Sequence, residues 1–477
     1  MDFKNLLFLT PHLLIAILVV ILMLQASFYR DARIAQLVTL TGLVVTGASL
    51  FVFMPTHSVL ITDLIQLQPS STFFNLLIII SSITCVLLQR PFAQGSTEAQ
   101  DEYYILVTLA TLGSLVLIAA HHAASFVLGL ELMSLSLLAV IGYQRERELS
   151  LEATLKFLIL SGCATAFLLF GLALLYAASG SLNLPNLLLS PNSHPDLMLL
   201  GKIGISLVLV GVGFKLSLIP FHWWTPDVYQ GAPINSTLLL ATLSKTAVFA
   251  ILLRLLTYPE GELGATLVSI LSLIAIISMI GGNLLALKQA NLKRLFAYSA
   301  IAHMGYILVA AIIAIDMENS LAMEGSSYYL LAYVLASLAI FSALTLLSQG
   351  GHKTDIETIE QIRGLFWSRP GLASVLLLAT LSMAGMPLTV GFIGKFYLLS
   401  AALELSAWWL ISAMVVGSIV GIFYYLRVIF SLFEKTEVEF NPESKLQRTW
   451  VGVITLCLVL FGVLPDELGY QIAALFN

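Results

Sequence analysis

Charge is what this sequence has least of. Its 477 residues include 22 Lys and Arg and 27 Asp and Glu, 10% of the chain, where an ordinary soluble domain carries roughly 25%. A basic excess is missing too. The net charge of −5 leaves no electrostatic footprint for nucleic acid. Cysteine is nearly absent. Cys85, Cys163 and Cys457 each lie in an apolar run, with no CxxC and no Cys/His cluster, so neither an iron–sulfur site nor structural zinc is supported. Buried, inert thiols are expected. The N-terminal stretch lacks a basic leader region and a small-residue cleavage site, so residues 6–28 read as a retained span rather than a signal peptide. Long polar loops are lacking as well. The longest gaps between apolar runs, near 180–198, 349–370 and 434–448, leave no room for a soluble domain.

What fills the chain is apolar: 59% of residues are hydrophobic. A soluble protein of this size could not bury that much and still cover its outside. A membrane-crossing helix needs about 20 mostly apolar residues. By that measure the chain holds fourteen spans, near 6–28, 34–54, 73–90, 103–120, 124–142, 152–179, 199–219, 234–257, 264–287, 296–315, 326–348, 371–402, 406–433 and 449–471. Membrane strands would show shorter, alternating segments. The fold class is therefore an all-α polytopic membrane protein. Most basic residues fall in every second loop, among them Arg30, Arg90, Arg145, Lys288, Lys353 and Lys435, whereas Lys4, Lys202 and Arg254 lie near the other face. The positive-inside rule makes the first set cytoplasmic and puts both termini outside.

Five ionisable residues remain within spans: Glu131, Lys156, Lys215, Lys245 and Lys395. Each costs at least about 2.5–3.5 kcal/mol to place at membrane depth, and such groups mark ion or proton paths. Plainer readings also fit. Lys156, close to a helix end, has a snorkelling alternative, and Glu131 with Lys215 could form a static ion pair. Two spans carry helix breakers beside their lysines. In GVGFKLSLIPFHWWTPDVYQGAP (211–233), Pro220, Pro226 and Pro233 follow Lys215; in LSMAGMPLTVGFIGKFY (381–397), Gly385, Pro387, Gly391 and Gly394 precede Lys395. Backbone freed from a helix at membrane depth must be satisfied by protein or a wet cavity. Paired discontinuous helices point to a transport site, although Pro and Gly also merely bend membrane helices. The broken spans are the seventh and twelfth, five apart, which suggests two inverted five-helix repeats. The domains would be a three-helix segment (1–102), a first repeat (103–257), a second (264–433) and a C-terminal loop with one last helix (434–477). His303, near mid-span, could relay protons or be a satisfied core histidine. His222, with Asp227 near, could be a relay or part of a loop network, and His121-His122 reads as surface.

The runs LGLELMSLSLLAVIGY (128–143), LEATLKFLILS (151–161), GFKLSLIPFHWWTPDVYQGAP (213–233), NLKRLFAYSAIAHMGY (291–306) and AGMPLTVGFIGKFY (384–397) carry a family resemblance. The chain resembles the antiporter-like membrane subunits of proton-translocating NADH:quinone oxidoreductase, respiratory complex I, and within them the bacterial subunit N type (mitochondrial subunit 2). The resemblance implies two inverted five-helix repeats within fourteen helices. It implies that Glu131 pairs with Lys215, that Lys245 is the connecting lysine, and that Lys395 is the terminal proton site. Lys156, His222 and His303 take supporting places along the polar axis. No cofactor is implied in this chain: NADH, FMN, iron–sulfur clusters and quinone belong to other subunits. The partners implied are other membrane-arm subunits, the paralogous subunit M and small subunits on the quinone side among them, together with membrane lipid, in a bacterial inner (plasma) membrane. Two rivals stay open: a subunit of a multi-subunit sodium/proton antiporter, and a passive spacer in the membrane arm.

Overall fold

A computed structural model describes residues 7–89, 100–144, 147–188, 195–258, 261–317, 320–348, 355–435 and 444–476. Lys4, Arg90, Arg145 and Lys353, used above for orientation, lie outside the described residues. The helices in chain order are α1 (Thr10–Phe28), α2 (Ala32–Val52), α3 (Pro69–Leu88), α4 (Gln100–Ile118), α5 (Ala123–Ile141), α6 (Glu148–Ser179), α7 (Leu184–Leu188), α8 (Pro195–Leu216), α9 (Trp224–Gly231), α10 (Ile234–Ala241), α11 (Leu243–Leu256), α12 (Gly261–Leu287), α13 (Leu292–Met317), α14 (Ser320–Ser348), α15 (Leu365–Ser368), α16 (Pro370–Ala384), α17 (Val390–Glu404), α18 (Trp408–Phe433), α19 (Lys445–Val463) and α20 (Pro465–Phe476). Among the described residues thirteen helical spans are long and apolar enough to cross a membrane, α10 and α11 counting as one. The expected span at 371–402 is the exception. It is two short helices, α16 and α17, each of 15 residues. The chain is an all-α polytopic membrane protein.

Local chemistry sets the helix ends. Asp31 caps α2 by accepting from the amides of Arg33 at 2.8 Å and Ile34 at 3.3 Å. His122, expected on the surface, is half-buried and caps α5, accepting from the Ala124 amide at 3.1 Å while its own amide donates to Ser125 Oγ. Gly180, with φ of 71°, stops α6 in the left-handed conformation that glycine tolerates.

The chain divides into two compact units, 1–212 with 239–259, and 213–238 with 260–477. In the first, α4 and α5 touch backbone to backbone. A Cβ on Gly113 would come within 2.4 Å of the Met133 amide nitrogen, so the crossing admits no larger residue. One element there is not helical. Strands β1 (Val59–Thr62) and β2 (Ile65–Leu67) form an antiparallel hairpin, with Ile65 bridging to Ala120. Val59, Ile61, Leu67 and Ala119 make its small apolar core. Arg254, at the end of α11, is 6% exposed rather than solvated. Its guanidinium donates to the carbonyls of Gln66 at 3.2 Å and Ile118 at 3.5 Å, to the Gln66 amide oxygen, and faces His121 Nδ1 at 3.4 Å. Burial, with the Arg254 charge beside it, holds His121 below its usual value, so the ring stays neutral and can accept. The cysteine expectation holds fully at one position. Cys85 is buried, but Cys163, on α6, is exposed and Cys457 is half-buried. An apolar run at membrane depth does not say which flank faces inward.

Candidate functional site

The first unit holds Glu131, Lys156 and Lys245. Glu131 sits on α5 and is half-buried. It accepts a hydrogen bond from Thr165 Oγ1 of α6 at 2.7 Å. Lys156 lies near the start of α6, pairs with Glu152 one turn back at 2.7 Å, and is 41% exposed, the geometry of a solvated or snorkelling lysine. Lys245, by contrast, is 0% exposed on α11. It sits three residues after Thr242, where the helix is interrupted with φ −112° and ψ −72°. No proline or glycine marks this break in LLLATLSK.

The second unit holds Lys215, His222, His303 and Lys395, and both proline breaks. Lys215, in the last turn of α8, is 3% exposed. Just beyond it Ser217 adopts φ 65°, a left-handed conformation that costs a non-glycine residue about 1–3 kcal/mol and clusters at functional sites. The backbone freed around Pro220 is not left open. The Ile219 amide donates to Ser278 Oγ of α12 at 3.0 Å, and Trp224 Nε1 donates to the Phe214 carbonyl at 2.8 Å. His222 is buried, and its ring stacks on Trp223 with centroids 5.0 Å apart. Asp227 ion-pairs with Arg294 at 2.7 Å.

The second break repeats the design. Leu388, next to Pro387, has φ 69°, and Gly385, with φ 81°, ends α16. The Gly391 amide donates to Ser382 Oγ at 3.1 Å. The Lys395 ammonium turns back across the break and donates to the carbonyls of Met383 at 3.3 Å and Ala384 at 3.1 Å. It thus occupies the C-terminal end of α16, where orphan carbonyls and the helix dipole favour a cation. The face of Tyr306 covers the same ammonium, 5.2 Å from ring centroid to nitrogen.

Tyr306 leads to His303. The two rings lie 5.8 Å apart. His303 is 4% exposed, and both ring nitrogens are engaged: Nδ1 with Tyr329 hydroxyl at 2.7 Å and Nε2 with Tyr425 hydroxyl at 3.0 Å. A neutral imidazole donates at one nitrogen and accepts at the other, and a hydroxyl does both, so this arrangement can pass a proton in at one side and out at the other. Tyr425 hydroxyl also bonds Ser299 Oγ. Asn283, on α12, donates to Tyr306 hydroxyl at 3.0 Å and accepts from Tyr424 at 2.9 Å. The structure therefore brings His303 and Lys395 together through Tyr306 in the second unit, and Lys156 lies on an exposed face of the first. The tyrosines, Asn283, Ser299 and Ser382 were not foreseen. Their signal is present, polar residues inside apolar runs on α12, α13, α14, α16 and α18, but nothing in their spacing shows that the tyrosines, Asn283 and Ser299 gather around His303 and Tyr306 while Ser382 ties the second break.

Known proteins share this arrangement of helices. The family model described as NADH:quinone oxidoreductase/Mrp antiporter, TM matches residues 120–421. A chain of respiratory complex I from Thermus thermophilus with bound aureothin is 33% identical, over 97% of this chain and 99% of its own, with a TM-score of 0.85. A chain of the membrane-bound sulfane sulfur reductase, an archaeal respiratory membrane complex, is 22% identical over 99% of this chain and 97% of its own, with a TM-score of 0.84. A chain of the Mrp complex from Dietzia sp. DQ12-45-1b is 18% identical over 100% of this chain and 97% of its own, with a TM-score of 0.85. The last two likenesses are of fold.

Proposed function

The chain belongs to the NADH:quinone oxidoreductase/Mrp antiporter transmembrane family, and from that premise we propose that it is the subunit N type of membrane-arm subunit, translocating protons through buried Glu, Lys and His side chains while quinone is reduced elsewhere in the complex. The observation that carries this reading is Lys395. Its ammonium is held on helix-end carbonyls and an aromatic face, beside a histidine whose two nitrogens both meet hydroxyls. That is a cation site with a proton relay attached. The subunit N assignment rests on the run PFHWWTPDVYQGAP and on lysine rather than glutamate at 395.

In this reading ionised Glu131 keeps Lys215 protonated. Neutralising or moving Glu131 lets Lys215 release its proton toward Lys245, which passes it by waters and His303 to Lys395. Desolvation disfavours the ammonium form of a buried lysine, so small changes in neighbouring charge suffice to unload it. Lys156, His222, Pro220 and Pro387 support the path, the prolines by holding the helices open. The basic loops face the cytoplasm of a bacterial plasma membrane, both termini face outward, and the neighbours are other membrane-arm subunits. No redox centre or cofactor is assigned to this chain.

Glu131→Ala in assembled complexes is expected to lower proton translocation by roughly tenfold. Lys215→Arg is expected to fail comparably, because arginine does not release its proton at usable pH. Membrane vesicles given NADH and a pH-sensitive dye measure both. Wild-type acidification in either variant removes that residue from the path, and a sodium requirement for the flux moves the chain to the sodium/proton antiporter branch.

A further inference from the structure

The loop-side ends of α9 and α13 meet in an ion cluster that the proton path does not use. Arg294, the third residue of α13, donates from one nitrogen to Asp227 at 2.7 Å and to Gln230 at 3.0 Å, both on α9. Its neighbour Lys293 is 0% exposed. The Lys293 ammonium donates to the Ala232 carbonyl, immediately after α9, at 2.8 Å, and to Asp355 at 3.2 Å, with Glu357 at 3.9 Å. The segment bearing Glu357 is itself tied to α13 through the Leu292 amide and the Glu357 carbonyl at 2.6 Å. A lysine withdrawn completely from water and a two-point arginine tie are costly to build for one surface turn. They are understandable if the turn must not move independently.

What they hold is informative. α9 directly follows the broken stretch 217–223 behind Lys215, so it is the trailing arm of the first break. α13 carries His303 nine residues beyond Arg294 on one uninterrupted helix, about 13 Å along a rigid rod. We propose that Arg294–Asp227, backed by Lys293, is a positioning device that makes the first break and the His303–Lys395 relay move as one body. Displacement of the Lys215 segment reaches His303 through α13, by contact, alongside the electrostatic route. This inference rests on the proton-path reading.

The test uses assembled complexes in membrane vesicles, reading protons taken up per NADH oxidised and, separately, NADH oxidation with an uncoupler present. The loss of that ratio in Lys395→Ala sets the scale. Asp227→Asn and Arg294→Gln are each expected to lose at least about half as much, with uncoupled NADH oxidation kept within roughly twofold of wild type. The swapped pair, Asp227→Arg with Arg294→Asp, is expected to regain it, which a merely stabilising contact does not require of the ratio. A wild-type ratio in both single variants, or a swap that assembles without recovery, overturns the device. Should Arg294→Gln not assemble, Gln230→Ala removes only the second tie and is expected to lower the ratio by roughly a quarter of the scale; a wild-type ratio there also overturns it. If Lys395→Ala itself loses nothing, the proton path has failed instead.

Discussion

Replacing Lys395 with alanine is expected to stop proton movement through this chain and to slow NADH oxidation by the intact complex roughly tenfold or more. Three interactions go at once. The Met383 and Ala384 carbonyls lose the ammonium that donates to them at membrane depth, the Tyr306 face loses its cation, and His303 loses the group it would serve. Lys395→Arg separates charge from proton exchange: it keeps a cation at the end of α16 but does not restore translocation. Parallel dye quenching and NADH turnover in vesicles, with assembly checked, give the answer, and Lys245→Ala is the companion experiment. Unchanged pumping and turnover in both alanine variants would make the chain a passive spacer in the membrane arm.

The second large effect is structural. Gly391→Ala is expected to destabilise the second unit by about 3 kcal/mol, seen as a lowered unfolding temperature and poor incorporation into the complex. A Cβ there would lie 1.9 Å from the Ser382 carbonyl oxygen and 2.9 Å from Ser382 Oγ. Backbone, not a flexible side-chain end, stands in the way. The only relief is to part α16 from α17, which also withdraws the Met383 and Ala384 carbonyls from Lys395. Gly371→Ala is the control: no atom beyond its own stretch of helix lies within 4 Å of its added carbon, and alanine is the better helix former by roughly 1 kcal/mol. Equal behaviour of the two variants would mean that the break does not need close packing.

Much of this molecule was legible in its sequence because the bilayer imposes a strong rule. Twenty apolar residues in a row have few alternatives, and the expected spans recur within several residues of the observed helices. The breaks at Pro220 and Pro387 were legible for the same reason: proline removes a donor, and glycine opens a turn. The break at Thr242, with φ −112° and ψ −72°, was not, since LLLATLSK contains no proline or glycine to announce it. Lys293 shows the limit most plainly. Beside Arg294 at a span's edge it reads as an ordinary loop charge, yet it is wholly enclosed. Enclosure depends on Ala232, Asp355 and Glu357, which lie some sixty residues away on either side. The hairpin 59–67 is not legible because its apolar alternation is too short to register against runs three times longer.

That hairpin sets a schedule for biogenesis. Gln66 and Arg254 are 188 residues apart. At typical ribosomal speeds Gln66 therefore waits on the order of 10–40 s before its partner leaves the tunnel. Until then the early helices have been inserted but not fastened, and the strand edge of the hairpin is open to capture. An insertase or chaperone that shields nascent segments has its clearest task on this chain in that interval. Arrival of α11 ends it, so the helix bearing Lys245 is also the latch that closes the first unit.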